Sequence, residues 1–141
     1  MKILIVDDDW NILEYLKNIF IHSGMEVIIA DNGFDALQYI REQQIDLVLT
    51  DIAMPDMDGY ELYTQIMDYD DTIPVIMMTG FGYDPNHVVV RAKKDGLHDV
   101  VFKPFDPDKL ILLIKKRIEH RKRINNVIKL KSNYHNKIWI S

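Results

Sequence analysis

Short runs of branched apolar residues recur along the chain and alternate with longer stretches of helical spacing. Each run holds three or four residues, which is too short for a helix and typical of strands buried on both faces. The five predicted strands are Ile3–Val6, Val27–Ala30, Leu47–Leu49, Val75–Met78 and Val100–Phe102. Apolar stripes of helical spacing predict five helices, at Ile12–Phe20, Phe34–Ile40, Leu62–Met67, Val88–Ala92 and Leu110–Ile118.

This alternation predicts an α/β fold with a doubly wound, five-stranded parallel sheet and five helices covering both of its faces. Parallel sheets of this kind bind their ligands outside the carboxyl ends of the strands. The residues that directly follow the strands are therefore the candidates for chemistry.

Polar residues follow four of the five strands. They are Asp7, Asp8 and Asp9 after the first strand, Asp51 after the third, Thr79 after the fourth and Lys103 after the fifth. Because the carboxyl ends of parallel strands share one edge of the sheet, we expect these side chains to converge there.

Clustered carboxylates need a counter-charge, because two unit charges about 4 Å apart repel by roughly 4 kcal/mol at the effective dielectric of a protein surface. A hard divalent cation such as Mg²⁺ would offset this repulsion, since it binds carboxylates and keeps several waters. Lys103 and Thr79 could then hold an anion, of which phosphate is the obvious example. One aspartate could act as the nucleophile, because carboxylates form acyl phosphates in phosphoryl transfer.

The polar segments of these strand ends also resemble those of a known family. VDD follows the first strand, DIAMPDMDG the third, a threonine the fourth and KPF the fifth. Together they resemble the receiver domain of two-component response regulators, over residues 1 to about 120. The resemblance implies a flavodoxin-like receiver fold.

The resemblance also implies a role for each polar residue. Asp51 looks like the phospho-acceptor, and Thr79 and Lys103 look like the groups that bind the phosphoryl oxygens. For Mg²⁺, the resemblance implies ligation by Asp7, Asp8, Asp51 and the backbone carbonyl of Ala53. The peptide bond between Lys103 and Pro104 is expected to be cis, as in the family.

The implied function is that of a phosphorylation-controlled switch. A sensor histidine kinase or a phosphotransfer protein would donate the phosphoryl group to Asp51, and the resulting conformational change would control an output domain or a partner. The implied contact face consists of the fourth helix, the fifth strand and the fifth helix, with self-association through this face or the C-terminal tail as a possibility. We expect no enzyme activity beyond autocatalytic phospho-acceptance and dephosphorylation.

Two other functions fit parts of the sequence. Asp7 and Asp9 fit the Asp-x-Asp signature of haloacid dehalogenase-like phosphatases loosely, but Trp10 stands where a threonine or valine is usual, and no room is left for a cap domain. A phosphorylation-independent docking module is the third reading, and the full set of polar residues argues against it.

Several nearby residues have simpler structural interpretations. We expect Asp9 to cap or begin the next helix, where a carboxylate is favoured. Asp56, Asp58 and Gly59 are expected to serve a turn. Val100 departs from the family, which usually has tyrosine or phenylalanine three positions before the lysine. We therefore expect activation without rotation of an aromatic side chain in the fifth strand.

Charge divides the 141-residue chain into two parts. Residues 1–114 hold 8 Lys and Arg against 21 Asp and Glu, a net charge of −13, whereas residues 115–141 hold 9 against 1, a net charge of +8. We expect a receiver domain at residues 1–120 and a basic extension or linker at residues 121–141. The extension is predicted to continue the fifth helix to about residue 130, either as a linker to an output domain or as a surface for self-association. It is too short to form a nucleic-acid-binding domain with a core of its own, so we expect no direct nucleic-acid binding.

The composition is that of an ordinary globular protein. The absence of cysteine excludes a disulfide framework and thiolate metal sites. No apolar run approaches the roughly 18 residues that suggest a membrane span. We therefore expect a cytoplasmic protein without a membrane partner.

Overall fold

The computed structural model describes residues 1–80 and 99–140, with side chains up to residue 136. The described strands are β1 (Lys2–Val6), β2 (Glu26–Ala30), β3 (Leu47–Asp51), β4 (Val75–Thr79) and β5 (Val100–Phe102). The described helices are α1 (Trp10–His22), α2 (Gly33–Glu42), α3 (Gly59–Tyr69) and the C-terminal helix (Pro107–Ile140). The helix predicted around Val88–Ala92 lies outside the described residues.

All five strands belong to one parallel sheet with the order β2-β1-β3-β4-β5. The sheet confirms the predicted fold class. Its strand order reverses at β1, which pairs with β2 on one side and β3 on the other, so the carboxyl ends of β1 and β3 flank the switch point where such sheets bind ligands.

Alternate residues of the strands pack into two apolar layers, one on each face of the sheet. Leu4 and Val48 lie in the layer covered by α2 and α3. Ile3 and Leu49 lie in the layer covered by α1 and the C-terminal helix. Because β1, β3 and β4 are covered on both faces, each contains a run of three or four consecutive apolar residues instead of an apolar–polar alternation.

Side-chain oxygens cap the first three helices. Asp9 caps α1 by accepting a hydrogen bond from the backbone N–H of Asn11 at 2.9 Å, which confirms the predicted role of this residue. Asn32 caps α2 and Asp58 caps α3 in the same manner. Asp58 is therefore a helix cap, as well as the end of the loop in which the sequence predicted a turn.

The C-terminal helix packs on the sheet through its first turns only. Leu110, Ile114 and Ile118 are buried, whereas every residue from 122 to 136 is exposed. The predicted continuation of the helix beyond the domain body is confirmed, and the helix runs to Ile140, about ten residues further than expected. The described part of the chain contains no helix long and apolar enough to cross a membrane.

Candidate functional site

Four of the predicted polar residues meet at the carboxyl edge of the sheet. Asp51 and Thr79 are the last residues of β3 and β4, while Asp7 and Lys103 directly follow β1 and β5. Asp7, Asp51 and Thr79 are buried, with 1%, 7% and 2% of their surfaces exposed. The sheet therefore brings together side chains that lie up to 96 residues apart in the sequence.

Lys103 connects two of the carboxylates. Its Nζ atom donates hydrogen bonds to Oδ1 of Asp51 at 3.0 Å and to Oδ2 of Asp7 at 3.1 Å. The other oxygen of Asp7 accepts a hydrogen bond from the backbone N–H of Asp9 at 2.9 Å. One ammonium group therefore lies between two buried carboxylates, which leaves the pocket with an excess of negative charge.

The burial of these groups changes their proton affinities. Desolvation raises the pKa of Asp7 and of Asp51 above the usual range, and the hydrogen bonds that they accept offset this only in part. For Lys103, burial alone would lower the pKa, but the hydrogen bonds and charges of Asp51 and Asp7 outweigh it, so the pKa is raised.

Three carboxylates are close enough to share one cation. Oxygen atoms of Asp7, Asp8 and Asp51 all lie within 4.8 Å of one another, and Asp8 is the exposed member of the cluster. Carboxylate oxygens with access to solvent are the ligand set that Mg²⁺ prefers, because this ion retains waters. The residues therefore fit Mg²⁺, and the exposure of Asp8 leaves a route for a hydrated ion.

The side chain of Thr79 has an unused hydrogen-bonding group. Its Oγ1 atom is buried and has no hydrogen-bond partner among the described residues. An unpaired buried hydroxyl costs about 1–3 kcal/mol, so such groups are uncommon and often mark functional sites. This hydroxyl can donate to an anion bound in the pocket.

A family comparison agrees with this geometry. The family model described as the response regulator receiver domain matches residues 3–115. The chain belongs to this family. It is 39% identical over 117 residues to the chemotaxis protein CheY of Listeria monocytogenes, a match that covers 82% of this chain and 97% of CheY. It is also 39% identical over 120 residues to the transcriptional regulatory protein ZraR of Klebsiella oxytoca, covering 85% of this chain and 27% of ZraR.

Solved structures support the same assignment. A response regulator receiver domain protein from Clostridium thermocellum superimposes with a TM-score of 0.81 at 30% identity, over 87% of this chain and 98% of the other. NtrX from Brucella abortus gives a TM-score of 0.83 at 31% identity, over 92% of this chain and 29% of NtrX. The receiver domain thus spans only a quarter to a third of ZraR and NtrX.

Within this receiver domain, glycine is required where α3 begins. A Cβ atom on Gly59 would overlap the backbone carbonyl oxygen of Asp51 and lie 2.9 Å from Cα of Ile52. The N–H of Gly59 also donates to the carbonyl of Ile52 at 2.8 Å. The turn predicted for Gly59 is therefore only part of its role, because the residue lets α3 approach the backbone of Asp51 closely.

The loop between β3 and α3 is held by a second close contact. Met57 is buried and covers Gly33 at the start of α2, where a Cβ atom would lie 2.5 Å from the sulfur of Met57. Asp56 in the same loop has a φ of 67°, in the left-handed region, as suits a turn. The motif indicated the loop, but a contact between residues 24 positions apart leaves no local pattern from which it could be found.

The peptide bond between Lys103 and Pro104 is cis, as the resemblance implied. Val100 packs against the apolar layer beneath α2 and α3. Phe102 is 58% exposed at the edge of the sheet. Ala53 lies in the exposed part of the loop after β3.

Proposed function

We propose that this chain is a phosphorylation-controlled switch in which Asp51 accepts a phosphoryl group in a Mg²⁺-dependent reaction. The single observation that supports this most strongly is the position of Asp51. Its buried carboxylate lies 3.0 Å from Nζ of Lys103 and shares an acidic cluster with Asp7 and Asp8. Phosphoryl acceptance is also the general function of the family to which the chain belongs.

In the proposed reaction, an oxygen of Asp51 attacks the phosphorus atom of the donor. When the donor is a phosphohistidine, the P–N bond breaks and the imidazole nitrogen keeps the electron pair, so an acyl phosphate replaces a phosphoramidate. Asp7, Asp8, Asp51 and the carbonyl of Ala53 would hold Mg²⁺, which neutralises charge on the phosphoryl oxygens when it is bound. Within residues 1–80 and 99–136, no other group of three or more carboxylate or imidazole side chains is close enough to hold a metal ion.

Lys103 and Thr79 would bind the transferred group. The ammonium group of Lys103 already touches Asp51, so it can follow the charge from the carboxylate to the phosphoryl oxygens. The unpaired Oγ1 of Thr79 would gain the partner that it lacks among the described residues. Satisfying this hydroxyl supplies a reason for the chain around Thr79 to change conformation on phosphorylation.

The partners and the setting are part of the same proposal. A sensor histidine kinase or phosphotransfer protein would supply the phosphoryl group, in the cytoplasm, and the switch would act on a partner or an output domain. We place the receiver domain at residues 1–120 and a basic extension at residues 121–141.

The carboxylate of Asp9 caps α1, which leaves the haloacid dehalogenase signature without its second aspartate in the pocket.

The experiment is mass spectrometry after incubation with acetyl phosphate and Mg²⁺. We expect the 141-residue chain to gain the mass of one phosphoryl group, and to gain none when the metal is chelated. Asp51→Asn should abolish the gain, whereas Asp56→Asn, which changes a carboxylate of the neighbouring loop, should retain it. An undiminished gain in Asp51→Asn would overturn the assignment.

A further inference from the structure

The hydroxyl group of Thr50 lies inside an apolar layer. Thr50 is fully buried in β3, where its strand partners are Val6 and Met77. Both partners belong to the layer covered by α2 and α3, and so do Val48 and Ile52, two positions away on either side. The side chain of Thr50 therefore faces the same layer. A valine would fill a similar volume without burying a polar group, so the packing of the layer does not account for the hydroxyl.

This hydroxyl donates a hydrogen bond to the backbone of the proposed acceptor. Oγ1 of Thr50 lies 3.0 Å from the carbonyl oxygen of Asp51, in a buried setting. The pairing of β3 with β1 ends at Thr50, opposite Val6, so this carbonyl lies one residue beyond the ladder between those strands. Buried carbonyl groups need a donor, and the hydroxyl supplies one at the point where the ladder stops.

The peptide group between Asp51 and Ile52 is consequently held at both of its polar ends. Its N–H, which belongs to Ile52, donates to the carbonyl of Met78 at 3.0 Å. Its carbonyl accepts the hydrogen bond from Thr50, and Gly59 lies directly against the same oxygen. Removal of the hydroxyl would release one of these two hydrogen bonds and let the plane of the peptide group tilt.

The orientation of this peptide group affects the carboxylate of Asp51. Burial raises the pKa of the carboxyl group, and the backbone N–H of Ile52 is among the groups that act in the opposite direction. The carboxylate also lies 3.0 Å from Nζ of Lys103 and within 4.8 Å of oxygen atoms of Asp7 and Asp8. A misplacement of about 1 Å can slow a reaction greatly, so a tilt beside the acceptor would be costly.

We propose that Thr50 is a positioning residue for phosphoryl acceptance, acting through its hydrogen bond to the carbonyl of Asp51. This inference rests on the proposed function, because it concerns the same acceptor. Thr50 faces the apolar layer, so its effect reaches the reaction only through the backbone of Asp51. The hydroxyl holds the peptide group that follows the acceptor, and thereby the direction in which the carboxylate meets the phosphorus atom.

The test compares initial rates of phosphoryl gain from acetyl phosphate and Mg²⁺, followed by mass spectrometry of the 141-residue chain. Thr50→Val, which loses the hydroxyl and keeps the volume, should slow the reaction about tenfold. Thr50→Ser, which keeps the hydroxyl, should stay within about twofold of the unmodified chain. An unchanged rate in Thr50→Val would overturn the proposal, and so would a Thr50→Ser variant as slow as Thr50→Val.

Val48→Ala is the matched control for a loss of stability. Val48 lies two positions earlier in β3 and packs in the same layer, so its truncation destabilises the fold without removing the hydrogen bond. At a temperature well below unfolding, its rate should equal that of the unmodified chain. Equal slowing of Val48→Ala and Thr50→Val would show that lost stability controls the rate, and this would overturn the proposal.

Thr50→Ser and Thr50→Ala differ only in the hydroxyl, and they repeat the comparison if Thr50→Val does not fold. Circular dichroism would verify that both are folded. The alanine variant should be about tenfold slower than the serine variant, and equal rates would overturn the proposal. An unmodified chain that gains no phosphoryl group would overturn the proposed function and this inference with it. A normal gain in the unmodified chain with equal rates in the variants would overturn this inference alone.

Discussion

Gly59 begins α3 directly against the backbone of Asp51, so closely that a methyl group at this position would overlap the carbonyl oxygen of Asp51. The contact fixes the distance between the helix and the proposed acceptor. It explains why the loop after β3 ends in a residue without a side chain.

We expect Gly59→Ala to destabilise the protein by about 1–3 kcal/mol, the usual cost of overpacking, and to slow phosphoryl acceptance because the backbone of Asp51 must move. Urea unfolding and initial rates with acetyl phosphate would measure both effects. Gly80→Ala is the matched control, since its Cβ would lie 3.7 Å from the nearest atom, Cδ of Lys103. Equal stability of Gly59→Ala and the unmodified chain would contradict the prediction.

Thr79 should show opposite effects on stability and function. Thr79→Val removes a buried hydroxyl that has no described partner and keeps the shape of the side chain, so the free energy of unfolding should rise by about 1 kcal/mol. Phosphoryl acceptance should slow, because the hydroxyl is the proposed ligand of the phosphoryl group. Thr79→Ser, which keeps the hydroxyl, should retain most of the rate. Loss of stability in Thr79→Val would mean that the hydroxyl has a partner in the folded protein.

Asp56 offers a test of the backbone of the same loop. Its φ of 67° is tolerated by aspartate and asparagine but disfavoured for branched side chains. Asp56→Val should therefore lower the free energy of unfolding by roughly 1–2 kcal/mol, whereas Asp56→Asn should leave it nearly unchanged. Chemical denaturation of the two variants would decide, and equal stabilities would argue against the left-handed conformation.

The link between the C-terminal helix and the body should make stability depend on pH. Burial alone would raise the pKa of Asp70, but hydrogen bonds from Thr72 and the charge of Arg121 outweigh it and lower the pKa below 3.8. Asp70 therefore stabilises the fold above about pH 4, and this contribution is lost as the pH falls through the lowered pKa.

Arg121→Gln should consequently reduce the loss of stability between pH 6 and pH 3, as measured by urea unfolding at each pH. Arg123→Gln is the control, because the ion pair that Arg123 makes within the described residues is with the exposed Glu119. If Arg121→Gln kept the full pH dependence, the arginine would not contribute to the lowered pKa of Asp70.

Phe102 is a candidate to replace the aromatic side chain that the family usually has at the position of Val100. Phe102 is 58% exposed in the structure. We expect it to remain exposed on phosphorylation, because it directly precedes Lys103, whose side chain is held by Asp7 and Asp51. Fluorine NMR of labelled phenylalanine, with the signal assigned by Phe102→Leu, would report its environment before and after addition of acetyl phosphate. Transfer of this signal to a buried environment would show that Phe102 rotates.

The sequence predicted most of the fold because the three central strands, β1, β3 and β4, are buried on both faces. Short apolar runs such as Leu47–Leu49 are difficult to interpret as anything but strands. The ends of these strands then indicated which polar residues would lie together. The ends of the elements were predicted less well: Asp51 and Thr79 lie within their strands, because backbone pairing continues past the last apolar residue.

Other features depend on contacts between distant parts of the chain. The sequence did not identify Asn32 as a helix cap, since a single polar residue before a helix is common. The contact between Met57 and Gly33 could not be predicted either, because it depends on how α2 and α3 pack. The partner of Arg121 was equally invisible, because Asp70 lies 51 positions earlier. Local pattern thus located the candidate site, while its supporting contacts required the tertiary structure.

Lys103 also has a consequence for the order of folding. It reaches Asp51 across 52 residues and Asp7 across 96, so its contacts are among the least local in the fold. Contacts of high sequence separation are costly to form early, because a long loop must close first. We therefore expect the acidic pocket to gain the ammonium group of Lys103 late in folding, once β5 has joined the sheet, and phosphoryl-accepting activity to appear no earlier than that step during refolding.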